Sequence, residues 1–95
     1  MPILQIQHKV RDFDRWRQAF DSDPVGRERG GVRRYQILQA ADDPNFVVIE
    51  LEFDSRDKAE AFGDRLRELW GRAGPELGLE EPQARIFDSV EATEY

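Results

Sequence analysis

The sequence has no cysteine, a single histidine at His8 and a single asparagine at Asn45. Without thiols there is no disulfide framework, no thiolate nucleophile and no cysteine-based zinc site. One histidine leaves no Ser-His-Asp or Cys-His pattern to build on, and nothing in the residue order calls for a metal or a cofactor. Long apolar runs are also missing: none approaches the roughly 20 residues of a membrane-spanning helix. The opening "MPILQIQHKV" lacks the charged region and apolar core of a signal peptide, so a cytoplasmic protein is expected.

Positive charge is the scarcer sign. Fourteen Lys and Arg stand against twenty Asp and Glu, a net charge of −6. Neutralising phosphates needs a basic face, so a nucleic-acid partner is not expected, and neither is a membrane. The deficit is uneven, with residues 1–41 carrying +3 and residues 42–95 carrying −9. "GRERGG" lacks the Lys-Ser/Thr ending of a phosphate loop and opens no long helix.

What is present is a folded chain. Apolar residues make up 39% of the sequence and include six Phe, two Trp and two Tyr, too many aromatics for a disordered polymer. Ninety-five residues suit one domain, 1–95, with a modest core.

"ILQIQHKV" alternates, with Leu4, Ile6, His8 and Val10 on one face, so it reads as a half-buried strand. Asp12 suits an N-cap, and Phe13, Trp16 and Phe20 then follow at helical spacing. Pro24 ends this helix near "DSDP", and "VGRERGG" is a polar connection with room for a helical turn. "VRRYQILQ" is a second strand, with Tyr35 and Ile37 on one side and Val32, Arg34 and Leu38 on the other. "AADDPN" is a turn, and "FVVIELEF" a strong third strand whose two faces both carry apolar side chains.

A second helix opens at "DSRDKAEAF", capped by Asp54 or Ser55. Its apolar stripe is Ala59, Phe62, Leu66, Leu69 and Trp70, and the glycines and Pro75 of "GRAGPELG" stop it. "QARIFDSV" is a last strand and "EATEY" a frayed tail. The order βαββαβ predicts an α+β, ferredoxin-like domain: an antiparallel sheet with both helices on one face. The uncovered face, apolar in part, predicts a homodimer through the sheet.

This order resembles the dimeric α+β barrel superfamily. The stretches "HKVRDFDRWRQAFD", "GVRRYQIL", "DDPNFVVIELEFDSRDKAEAF" and "ARIFDSV" resemble, within it, small bacterial proteins of the antibiotic-biosynthesis monooxygenase and polyketide cyclase-like group. The resemblance implies that two sheets pair into one barrel and that a binding cavity lies between the sheet and the helices of each protomer. It makes His8, Trp16, Tyr35, Phe62 and Trp70 the residues expected to line that cavity. In the cofactor-free oxygenase branch an Asn works with Trp and an aromatic or His, whereas Asn45 here falls in a Pro-containing turn.

If the chain is an enzyme, His8 is the expected acid–base group, since imidazole titrates near neutrality. A hydrogen-bonded core histidine is the plainer role for a lone His on an apolar face. Trp16 and Trp70 offer flat walls with one indole donor each, which suits an aromatic ligand as well as simple packing. Tyr35 offers a hydroxyl for a carbonyl. Arg33 and Arg34 face opposite ways, so one of them, with Arg34 the candidate substrate contact, meets either an acidic ligand or Glu50 or Glu52 across the hairpin. Three readings follow: a homodimer binding a small apolar or aromatic molecule, a cofactor-independent monooxygenase or cyclase-like enzyme, or a structural dimer without a ligand.

Overall fold

The computed structural model describes residues 1–23, 25–74 and 78–95. The elements run β1 (Pro2–Val10), α1 (Phe13–Asp21), β2 (Val32–Ala40), β3 (Asp43–Phe53), α2 (Arg56–Ala73) and β4 (Leu79–Asp88). The strands form one antiparallel sheet in the order β2-β3-β1-β4. This is the expected ferredoxin-like βαββαβ arrangement, and both helices contribute to the core on one sheet face.

Strand alternation builds that core. Leu4, Ile6, His8 and Val10 of β1 point the same way as Val47, Ile49, Leu51 and Phe53 of β3, and all eight are buried. Each helix begins on a side-chain cap: Asp12 accepts from the Arg15 amide at 3.2 Å, and Ser55 from the Lys58 amide at 3.3 Å. Trp16 from α1, with Ala59 and Phe62 from α2, closes over the two central strands. Pro24 and Pro75, read as the helix terminators, lie outside the described residues.

Three local expectations need correction. A bulge between Val32 and Arg34 inserts Arg33, so Val32 packs on the core opposite Phe53 instead of sharing a face with Arg34. The hairpin turn is shorter than "AADDPN": only Ala41 and Asp42 separate β2 from β3. A second irregularity there accommodates Pro44, whose carbonyl accepts from the Gln39 amide side chain at 3.1 Å. Finally, β4 starts at Leu79, four residues before "QARIFDSV", because a bulge opposite His8, with Glu81 at φ 49°, lets the strand continue through a turn-like sequence. Among the described residues no helix is long and apolar enough to cross a membrane.

The two helix-proximal glycines Gly30 and Gly71 differ sharply in their surroundings. A Cβ on buried Gly30 would sit 2.5 Å from the Phe62 ring, whereas one on exposed Gly71, inside α2, meets nothing within 4 Å. Gly30→Ala is therefore expected to cost about 1–3 kcal/mol through overpacking. Gly71→Ala is expected to add about 0.5–1 kcal/mol through helix propensity. Urea unfolding of the two variants checks both signs.

Candidate functional site

The site is built around α1. Its nine residues are too few to hold a helix in water unaided, so its position depends on what its apolar stripe touches. Trp16 meets His8 edge-on at 5.5 Å between ring centroids, Phe13 at 5.7 Å and Phe20 at 5.3 Å. Phe20 in turn meets the Tyr35 ring edge-on at 5.3 Å. This aromatic chain ties α1 to β1 at one end and to β2 at the other.

The last turn of α1 contains no basic residue, so the exposed carbonyls at its negative end lack a cation from the helix itself. Arg27 supplies one from the following loop, donating from Nη1 to the Phe20 carbonyl at 2.7 Å. Its guanidinium carbon lies 4.0 Å from the Phe20 ring centroid and 5.0 Å from that of Tyr35. Asp23, in the left-handed region at φ 56°, accepts from the Arg27 amide at 2.8 Å and fixes the bend. Its carboxylate lies 3.7 Å from Arg27 Nε.

Between these groups and α2 lies a cavity of about 80 Å³. Ile6 and Leu51 of the sheet are its floor. Trp16 and Phe20 line it from α1, and Phe62 and Trp70 from α2. Among the described residues the lining is apolar except for two side chains, Asp23 and Arg27.

Of the residues named from sequence, Trp16, Phe62 and Trp70 come together here. Tyr35 stands outside, touching the site through Phe20 and Arg27. His8 stands behind Trp16 and does not line the cavity. Arg34 lies on the other face of the sheet, where strand alternation necessarily sends the neighbour of Tyr35, and it pairs with Glu52. Glu50 there is held by two amides, from Gln5 at 3.0 Å and Gln36 at 2.7 Å. Asn45 is exposed at the hairpin end, away from the cavity. Among the described residues no three His, Asp or Glu side chains gather as a metal site would.

Sequence reasoning missed Asp23 and Arg27, which read as part of a polar loop. The available signal was their four-residue spacing just beyond a helix whose last turn lacked a cation.

His8 is 4% exposed and its Nδ1 has no hydrogen-bond partner among the described residues. Burial lowers its pKa from 6.5 to about 4, because the charged imidazolium is penalised away from water. The unfolded chain therefore binds a proton between these values that the folded chain refuses. Stability from this group is complete above about pH 6.5 and falls as the pH drops toward 4, by roughly 3 kcal/mol in all. His8→Leu is expected to flatten the pH dependence over that window, as read by urea unfolding at pH 7.0 and pH 4.5.

Neither a protein-family model nor a curated protein sequence matches the chain. Solved structures do match its fold. The cofactor-independent oxygenase SnoaB from Streptomyces nogalater superposes with a TM-score of 0.75 at 13% identity, over 96% of this chain and 94% of that one. A candidate antibiotic biosynthesis monooxygenase from Bordetella bronchiseptica gives 0.72 at 15% identity, over 95% and 98%. A dimeric ferredoxin-like protein from an uncultured marine organism gives 0.65 at 11% identity, over 99% and 98%. At these identities the shared property is the ferredoxin-like fold, which the elements from Pro2 to Asp88 of this chain build.

Proposed function

We propose that this chain is a homodimeric small-molecule-binding protein whose ligand occupies the cavity between the sheet and its two helices. The observation that carries the reading is the lining: aromatic walls from both helices over an aliphatic floor, with polar side chains, among the described residues, confined to Asp23 and Arg27. Such an apolar hollow with a few placed polar groups is the usual form of a ligand site. At about 80 Å³ it is smaller than the ~150 Å³ cavity that accepts benzene in a well-studied core, so an aromatic guest must push its lining apart. Trp70, only half-buried near the end of α2, is the wall best able to yield.

The dimer is proposed through the open sheet face. Ile3, Leu38, Val48 and Phe87 are spread across it, and no helix covers it among the described residues. Leu38 and Phe87 are each 42% exposed. Interleaved with them are Gln5 and Gln36, each donating its side-chain amide to Glu50, which lets a partner sheet approach without stranding that carboxylate. The dimeric description of the marine ferredoxin-like protein supports a dimer of this fold.

A cofactor-independent oxygenase or polyketide cyclase-like activity is the second reading, and the likeness to SnoaB is what favours it. It would have to proceed without His8 as a general base near neutrality. An imidazole whose pKa is about 4 accepts protons poorly at that pH, and Trp16 stands between it and the cavity.

Filling the space separates a ligand site from a merely loose core. Ala19, on α1, lines the cavity and is only partly buried. Wild-type protein is expected to bind the neutral probe 2-naphthalenemethanol by titration calorimetry. Ala19→Phe is expected to lose at least tenfold in affinity while its urea midpoint holds. Wild-type protein that takes up no probe would defeat the ligand-site reading.

A further inference from the structure

We infer that the ligand is an amphipathic anion, a flat apolar body bearing one carboxylate, and that Arg27 reads the carboxylate at the edge of the cavity. The inference rests on the cavity being a ligand site, and adds the chemical class of what enters it.

Arg27 is an unusual residue to find beside apolar walls. Its side chain is only 18% exposed, yet its one close ionic partner among the described residues, Asp23, sits 3.7 Å from Nε, beyond hydrogen-bonding distance. The charge is accommodated instead by the faces of Phe20 and Tyr35 and by the Phe20 carbonyl. Among the described residues these contacts use one of its five N–H groups in a side-chain hydrogen bond. A guanidinium whose charge is met by two rings and one carbonyl has N–H donors left over for a planar acceptor, and the bidentate fit of a carboxylate is the strongest pairing such donors make.

Charge and placement narrow the class. Among the described lining residues the charged side chains are Arg27 and Asp23; Asp23 already accepts from the Arg27 amide, so the groups left to a ligand are the donors of Arg27, and a wholly apolar ligand would leave them unused. Because Arg27 and Asp23 are the polar side chains among the described lining residues, an acid docked on Arg27 directs its apolar part toward Trp16 and Phe62. Asp23 opposes the anion, so it tunes affinity downward while holding the loop that presents Arg27.

The test compares 2-naphthoate with 2-naphthalenemethanol, which share a body and differ in charge, by titration calorimetry at pH 7. Wild-type protein is expected to bind the acid at least tenfold more tightly than the alcohol, the scale of a charge-assisted hydrogen bond. Arg27→Met is expected to erase that preference while leaving alcohol binding in place. Asp23→Asn, a substitution compatible with the left-handed backbone there, is expected to strengthen naphthoate binding and leave the alcohol unchanged. Should Arg27→Met fail to fold, the Asp23→Asn comparison still decides. Equal affinity of wild-type protein for the two probes, or a preference that survives Arg27→Met, overturns the assignment of Arg27 while the cavity reading stands. Binding of neither probe overturns both.

Discussion

Trp16 is the contact on which the arrangement of the site depends. It is buried to 6% exposure between His8 below and Phe13 and Phe20 on its own helix. A nine-residue helix has little stability of its own, and the burial of one large indole against the sheet is what gives α1 a fixed place. From that place follows the position of Phe20, then of Arg27, which leans on Phe20 and accepts its direction from the Phe20 carbonyl. The edge of the cavity is thus set by a chain of contacts that begins on β1. Histidine suits the base of that chain because, kept neutral by burial, it supplies an aromatic edge without a charge.

Much of the fold was legible because β1 and β3 alternate so plainly. Leu4 to Val10 and Val47 to Phe53 each declare one buried face, and Asp12 and Ser55 announce the two helices. The sequence left Asp54 and Ser55 as alternatives for the second cap; the Ser55 hydroxyl fills the role. What escaped the reading was irregular backbone. The bulge at Arg33 and the early start of β4 each involve one extra residue in a ladder, and the hairpin end three on β3, which shifts facing locally and leaves no periodic trace. Val32 is the clear example, since strict alternation puts it with Arg34 and the bulge returns it to the core.

The site was legible in part for the same reason. Trp16, Phe62 and Trp70 lie on amphipathic stripes, and such stripes point at the sheet wherever a helix packs on it. Arg34 faces away from Tyr35, as alternation requires, and takes the cross-strand pairing with Glu52 that its position offered, so it stands apart from the cavity. Arg27 and Asp23 belong to a loop, where side-chain direction comes from turn geometry that no period encodes. The open sheet face tells a related story in reverse. Its rows, Arg34 with Glu52 and Gln36 with Glu50 and Gln5, satisfy their own polar groups within one protomer, leaving the apolar side chains between them as the unsatisfied feature.

These features support one proposal: a sheet that pairs with a second copy on one side and shelters an aromatic-lined ligand cavity on the other. Native mass spectrometry of the purified, untagged protein tests it most directly, since assembly and occupancy are read from a single mass. The account predicts two chains carrying a discrete small-molecule adduct. A single bare chain would contradict it.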